Sequence, residues 1–269
     1  MTRPFLIFDA YGTLVELDDF YGHLQRNFAR AGWHFSPEEI RRAAHREMKH
    51  YIDRSMLARD HQSWLCLRQE CAQVLADALR EARRDFSLSI EKCTEVLGDS
   101  IHFRAFPEAR RVLESLHARG VSMGVLSNWD YELPRILESL DLKKYFAFVL
   151  SSAEVGDAKP SPAVFERAWQ MARSVCPQLQ AQECVYIGDH WEKDVLPARR
   201  AGWTPLWLVR SRRDLLSQSA QDSKSDKPSV LRLRSLRPLL RLWRSELSVL
   251  SNSFASDAHG QVLEASSEA

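Results

Sequence analysis

Two hydrophobic patterns alternate along the chain. The first is short and continuous: Leu6-Ile7-Phe8, then residues 121–126, 146–150, 184–187 and 205–209. Continuous apolar runs of this length are those of strands covered on both faces, as in a parallel sheet. The second pattern repeats at helical spacing. Trp64, Leu67, Cys71, Val74, Leu75 and Leu79 predict a long helix over 61–84,. Ser36-Pro37-Glu38-Glu39 predicts a helix start, with Ser as N-cap, Pro at the first helical position and acids in the first turn, the helix running to about Tyr51,. Further helices are predicted over 89–101, 107–118 (closed by Gly120), 133–142, 161–173 and 195–201 (closed by Gly202),. Strand, helix and strand at this spacing give right-handed crossovers and a parallel sheet with helices on both faces.

Between about residues 18 and 100 the strand-like runs stop. That stretch reads as an all-helical insert after the first strand, so residues 1–15 and 103–210 are expected to form one α/β unit and 16–102 a second unit. Residues 211–229 turn to Ser, Gln, Asp and Lys, a linker composition,. Residues 231–250 are rich in Leu and Arg at helical spacing and are expected to be the last helix, packed on the core, although the basic amphipathic character also admits a membrane or partner surface,. The segment 251–269 has scattered apolar content and is expected to be disordered,.

Composition narrows the function more by exclusion than by pointing to one. With 269 residues and 45% apolar content the chain can build a large core plus a smaller unit,. Its 37 basic and 36 acidic residues leave a net charge of +1, which gives no bulk electrostatic case for nucleic acid,. No apolar run reaches the roughly 18–20 residues of a membrane span. Met1-Thr-Arg-Pro runs directly into the first strand without room for a signal peptide, so a cytoplasmic protein is expected,. The five cysteines, Cys66, Cys71, Cys93, Cys176 and Cys184, have no Cys-x-x-Cys spacing and read as reduced thiols,. Oligomeric state is not legible.

The chemistry concentrates where apolar runs end. Phe5-Leu-Ile-Phe delivers Asp9 into Ala-Tyr11-Gly12-Thr13-Leu14; Val125-Leu ends in Ser127-Asn128; Lys159-Pro160 follows a short loop; Val185-Tyr-Ile-Gly188 ends in Asp189, with Asp194 five residues later. The carboxyl edge of an open parallel sheet is where such folds bind ligands. In this order the four motifs resemble those of the haloacid dehalogenase superfamily, over roughly residues 4–210. The resemblance implies a Rossmann-like core and makes the helical insert similar to the cap of the dehalogenase-like branch. It further implies Asp9 as nucleophile, Lys159 as the cation beside it, and Ser127, Asn128, Tyr11 and Thr13 at the substrate or phosphate. Asp9, Asp189, Asp194 and the Tyr11 carbonyl would form a magnesium site. Hard oxygen ligands suit Mg²⁺, which takes one or two carboxylates and keeps waters.

One position departs from the pattern. Phosphatases of the family usually carry a second aspartate two residues after the nucleophile, acting as acid on the leaving group and base for water. Tyr11 stands there. An unperturbed tyrosine, with a pKa of about 10, is a poor proton shuttle at neutral pH. Tyrosine here resembles the 2-haloacid dehalogenases, in which halide leaves without an acid, whereas Asp189 and Asp194 resemble the phosphatases. The expectation is a Mg²⁺-dependent phosphatase acting on a small phosphorylated metabolite through an aspartyl-phosphate. Two alternatives stand beside it: a metal-independent 2-haloacid dehalogenase, and a binding or regulatory protein of weak activity. Weaker candidates near the site are Trp129, His190 and Trp191 at its mouth, and Glu16, Asp18 or Asp19 as a substitute acid.

Overall fold

The computed structural model describes residues 4–210 and 230–241. In chain order, β1 (Phe5–Phe8) and β2 (Val15–Leu17) precede four helices, α1 (Phe20–Arg30), α2 (Pro37–Arg54), α3 (His61–Ala82) and α4 (Ile90–Gly98), after which comes β3 (Phe103–Ala105). Then follow α5 (Ala109–Ala118), β4 (Met123–Ser127), α6 (Leu133–Ser139), β5 (Phe148–Ser151), the short α7 (Ser152–Val155) and α8 (Pro162–Val175). The last described elements are β6 (Cys184–Gly188), α9 (Leu196–Arg200), β7 (Thr204–Leu208) and β8 (Leu231–Leu233).

Six strands form a sheet in the order β5-β4-β1-β6-β7-β8, every pair parallel. This is a Rossmann-like α/β fold. The two-residue alternation of β1 divides its side chains between faces. Leu6 and Phe8 join Val112, Leu113 and Leu116 of α5 on one side, while Phe5 and Ile7 join Val164, Phe165 and Ala168 of α8 on the other. With both faces covered, the whole strand is apolar. Its central place puts its carboxyl end between those of β4 and β6.

The chain leaves the sheet and returns through a two-stranded antiparallel ribbon, β2 with β3, in which Val15 faces Ala105 and Leu17 faces Phe103. Three-residue strands this short left no periodic trace in the sequence. Val15 packs in the core cluster and Leu17 against the cluster of the helical insert, so the ribbon is where the two apolar interiors meet. The insert has its own core, built from Phe20, Leu24 and Phe28 of α1, Ile40 of α2 and Leu67, Leu75 and Leu79 of α3. Helix α2 starts as its sequence dictates, with the Ser36 hydroxyl accepting from the Glu39 amide and the Glu39 carboxylate accepting from the Ser36 amide,.

The expected helix over 231–250 is a correction. Leu231–Leu233 is a strand, extending the sheet by pairing with Leu206–Leu208 of β7. Leu231 and Leu233 are buried, and Arg232 between them lays its guanidinium over the Trp207 ring. Leu-Arg-Leu has a two-residue period as well as a helical one, and the open edge of β7 decided between them. The chain then turns, burying Leu236 and Leu239, and begins a helical turn at 239–241. Residues 242–250 of that expectation, together with the linker at 211–229 and the tail at 251–269, lie outside the described residues. Among the described residues, no helix is long and apolar enough to cross a membrane.

Candidate active site

Asp9 leaves the end of β1 and is almost fully buried. Its amide still donates to Ile187 O of the neighbouring strand (2.8 Å), which fixes the backbone at the sheet edge. The next residues turn sharply. Gly12 has φ 78°, and a Cβ placed on it would lie 2.2 Å from Asp189 Oδ2, so both the backbone conformation and the close approach require glycine,. Gly188 is needed for a different approach: a Cβ there would come within 2.5 Å of Asp194 Cγ.

Three strand ends bring the charged groups together. Ser127 Oγ, at the end of β4, donates to Asp9 Oδ1 at 2.8 Å. Lys159 Nζ donates to Asp9 Oδ1 (2.8 Å), to Asp194 Oδ1 (2.6 Å) and to the Tyr186 hydroxyl (2.8 Å), which uses up all three ammonium protons,. The Tyr186 hydroxyl in turn donates to Leu126 O (2.9 Å). Both donors to Asp9 converge on Oδ1. One oxygen each of Asp9, Asp189 and Asp194 lie within 4.8 Å of one another, as a metal-binding set requires.

The electrostatics follow from burial of this charge. Burial pushes the Asp9 carboxyl up, against the pull of Lys159. Asp189 is pushed up to about 8, by burial first and then by the Asp9 and Asp194 carboxylates, with Lys159 offsetting only part. Lys159 behaves in the opposite sense. Burial disfavours its charge, but Asp194 and Asp9 outweigh that and hold its pKa well above the usual lysine value. Ionising all three carboxyls beside one ammonium would leave an excess of negative charge, and a divalent cation on their oxygens would offset it. The residues therefore fit Mg²⁺.

Other sequence-predicted residues take different places. The Asn128 side chain grips the Lys159 backbone: its Oδ1 accepts from Lys159 N (2.7 Å) and its Nδ2 donates to Lys159 O (2.9 Å). It thereby sets where the ammonium stands. The Thr13 side chain is fully buried, and its hydroxyl has no hydrogen-bond partner among the described residues. The Tyr11 ring is exposed beside Trp129, with ring centroids 6.3 Å apart; burial of its hydroxyl raises the pKa further from neutrality. Trp191 packs on Trp207; His190 caps the turn that carries Asp194, its Nδ1 accepting from the Lys193 amide (3.4 Å), and its own amide donates to Asp194 Oδ2 at 2.9 Å. Glu16 and Asp18 are engaged by Arg104, and Asp19 by Arg26.

Sequence reasoning missed Tyr186 and Arg210. A tyrosine inside a fully apolar strand must find a partner for its hydroxyl, and Tyr186 had that signal. Arg210 bonds the Gly12 and Thr13 carbonyls, and a single arginine after a strand carried no such signal.

With that geometry in place, the chain matches the family model described as haloacid dehalogenase-like hydrolase over residues 5–202. The chain belongs to that family. It is 36% identical over 101 residues to haloacid dehalogenase-like hydrolase domain-containing protein 3 of Danio rerio, a match covering 38% of this chain and 40% of the relative. To the phosphoserine phosphatase of Thermus thermophilus it is 32% identical over 142 residues, covering 52% and 55%. These matches span about half or less of the curated relatives' lengths. The fold is similar to that of L-2-haloacid dehalogenase from Xanthobacter autotrophicus, with a TM-score of 0.61, 18% identity and coverage of 91% of this chain and all of the other. As a haloacid dehalogenase-like hydrolase, the chain has relatives among both phosphatases and dehalogenases.

Proposed function

We propose that this hydrolase cleaves a small phosphorylated metabolite through an aspartyl-phosphate on Asp9, with Mg²⁺ held by Asp9, Asp189, Asp194 and the Tyr11 carbonyl. The observation that carries this reading is the set of three carboxylates within reach of one another, where burial first, and then the Asp9 and Asp194 carboxylates, push Asp189 up to about 8. The bound ion would screen the phosphate from these carboxylates and stabilise charge in transfer. Asp9 supplies the nucleophile through Oδ2, the oxygen to which neither Ser127 nor Lys159 donates. Its bond to phosphorus forms as the bond from phosphorus to the leaving oxygen breaks, and water then cleaves the acyl phosphate. Lys159, held charged, balances the nucleophile and the incoming anion. The helical insert serves as the cap over this edge, fastened by hydrogen bonds from the Tyr51 hydroxyl to Asp130 Oδ2 (3.0 Å) and from the Tyr131 amide to Ala58 O (3.0 Å).

Tyr11 favours a second reading, carbon–halogen hydrolysis without metal, because the position lacks the acid that a poor leaving group needs. Absent acid–base help is worth ~10²–10⁴ in rate, roughly 3–5 kcal/mol of barrier, so substrates with good leaving groups suit this site best. The test is steady-state hydrolysis of an activated aryl phosphate by wild type and Asp9→Asn, with Mg²⁺ and with a chelator, alongside halide release from a 2-haloacid. Phosphate release that needs both Asp9 and Mg²⁺ supports the phosphatase. Halide release in the presence of chelator moves the chain to the dehalogenases, and silence in both assays favours the binding protein.

A further inference from the structure

Arg210 stands at the carboxyl edge of the sheet just beyond β7, and every nitrogen of its guanidinium is engaged. Nε donates to Gly12 O (3.1 Å), Nη2 to Thr13 O (2.7 Å) and Nη1 to Glu108 Oε1 (2.6 Å). Its Cζ lies 3.5 Å from the centroid of the Phe106 ring, so the guanidinium plane is fixed from the side as well. Glu108 is 8% exposed and accepts a second hydrogen bond, from the Leu236 amide at 3.3 Å. The anchor of the arginine is thus tied to the segment that follows β8.

Gly12 and Thr13 form the turn that carries the chain away from the nucleophile. On one side of this turn Asp189 leaves no room for even a Cβ at Gly12. On the other side the backbone carbonyls are held by Arg210. A planar fork with fixed donors spans two successive carbonyls in one set geometry, whereas the rotatable ammonium on a lysine's flexible stem does not fix the same directions. Phe8 and Ala10 anchor the turn at its start through the core, while at its far end the buried Thr13 hydroxyl has no hydrogen-bond partner among the described residues. The Leu14 and Val15 amides close the turn on Ala10 O (2.8 and 3.0 Å), and Arg210 adds a side-chain hold on the Gly12 and Thr13 carbonyls.

We infer that Arg210 is a positioning residue of the hydrolytic reaction: it clamps the backbone behind Asp9 so that the carboxylate keeps its aim, and it links that clamp through Glu108 to the Leu236 segment. The kinetic part of this inference rests on the hydrolase reading above, and the structural part does not. A displacement of about 1 Å at a reacting group can cost 10²-fold in rate.

The experiment uses the full chain as wild type, Arg210→Ala, Arg210→Lys and Glu108→Gln. It combines steady-state kinetics on an activated aryl phosphate with hydrogen exchange of the peptide spanning residues 10–15. For Arg210→Ala we expect kcat to fall roughly 10- to 100-fold with KM changed by no more than about twofold. Guanidinium ion added at millimolar concentration restores part of the rate, and Arg210→Lys recovers less than the added ion does. Amides of residues 11–15 exchange about tenfold faster or more, while those of β4 and β6 keep their protection. Where Arg210→Ala does not fold, Glu108→Gln carries the same test at smaller amplitude. A kcat within about twofold of wild type overturns the inference, whatever the exchange shows. So does an acceleration of exchange spread evenly over the sheet, which marks a purely structural role. If wild type turns over neither the aryl phosphate nor a 2-haloacid, the hydrolase reading has failed by itself. Local loosening of residues 11–15 then upholds the clamp, and unchanged exchange there removes it.

Discussion

Asp9 and Asp130 are both buried aspartates beyond a strand end, each near a basic side chain, yet they are held in different ways. Asp9 receives direct hydrogen bonds from a lysine and a serine, both at 2.8 Å. Asp130, with a fully buried side chain, takes its hydrogen bonds from neutral donors: the Tyr51 hydroxyl at 3.0 Å and the Glu132 amide at 2.9 Å. Arg68 stays 3.9 Å away and spends its guanidinium on the faces of Tyr51 and Trp64, at 5.3 and 5.2 Å from the ring centroids. Burial raises the pKa of both carboxyls, with Lys159 opposing at Asp9 and Arg68 opposing at Asp130. The lesson is that burial alone does not define a reactive site. Around Asp9 the partners hold charge in a fixed geometry before substrate arrives, which is what electrostatic catalysis needs. Around Asp130 they fasten the helical insert to the core, and the arginine is arranged for packing.

The contrast breaks most severely at Lys159. Replacing it with Ala leaves Asp9 and Asp194 buried without their cation. We expect kcat on an activated aryl phosphate to fall by about 10²–10³ or more, and unfolding stability to fall by about 3–5 kcal/mol. A variant that retains wild-type kcat would show that the ammonium only balances charge. Next in size is Tyr11→Asp, which supplies the missing acid. The rate on an alkyl phosphate should rise by about 10-fold or more, towards the ~10²–10⁴ that full acid–base help provides, while the rate on the activated aryl ester changes little. Equal gains on both esters, or none while Asp9→Asn abolishes turnover, would refute the account of Tyr11.

At the seam the effect is smaller and of another kind. Tyr51→Phe removes a donor from a buried carboxylate, at a cost of about 1–3 kcal/mol in stability measured by urea unfolding. Activity at saturating substrate should fall far less than in Lys159→Ala. If Tyr51→Phe silenced the enzyme as Lys159→Ala does, Asp130 would belong to the reaction and the comparison would collapse.

Much of this arrangement was legible in the chain because its chemistry lies at strand ends. Once 5–8, 121–126 and 184–187 read as parallel strands, Asp9, Ser127 and Asp189 had to gather at one edge, and the loop with Lys159 opens beside it. The seam was not legible. Helical spacing shows that Trp64, Leu67 and Cys71 share a buried face, but not that Tyr51 and Arg68 meet Asp130 from another part of the chain. The role of Asn128 was hidden for a related reason: the sequence places it beside Ser127, and only the fold turns its amide toward the Lys159 backbone. At β8 the two hydrophobic periods agreed with the same residues, and the unpaired edge of a neighbouring strand made the choice.

A third buried carboxylate sharpens the comparison, because Glu108 moves the other way. Burial pushes it up, but the hydrogen bonds from Arg210 and from the backbone outweigh that and hold its pKa below the ordinary glutamate value of 4.5. A carboxyl depressed in the folded state binds its proton more weakly there than in the unfolded chain, so it stabilises the fold above the unfolded pKa. That contribution is fully present above pH 4.5 or so and is lost as pH falls through the folded value. Glu108→Gln keeps the shape and an acceptor but removes the charge that Arg210 engages. We expect it to cost about 1 kcal/mol at neutral pH, with the gap between wild type and variant closing as pH drops below that range. Urea midpoints at a series of pH values read this directly. A gap that stayed constant into acid would mean that Arg210 grips Glu108 by shape alone, and that of the three carboxylates compared only Asp9 is held by direct charge pairing.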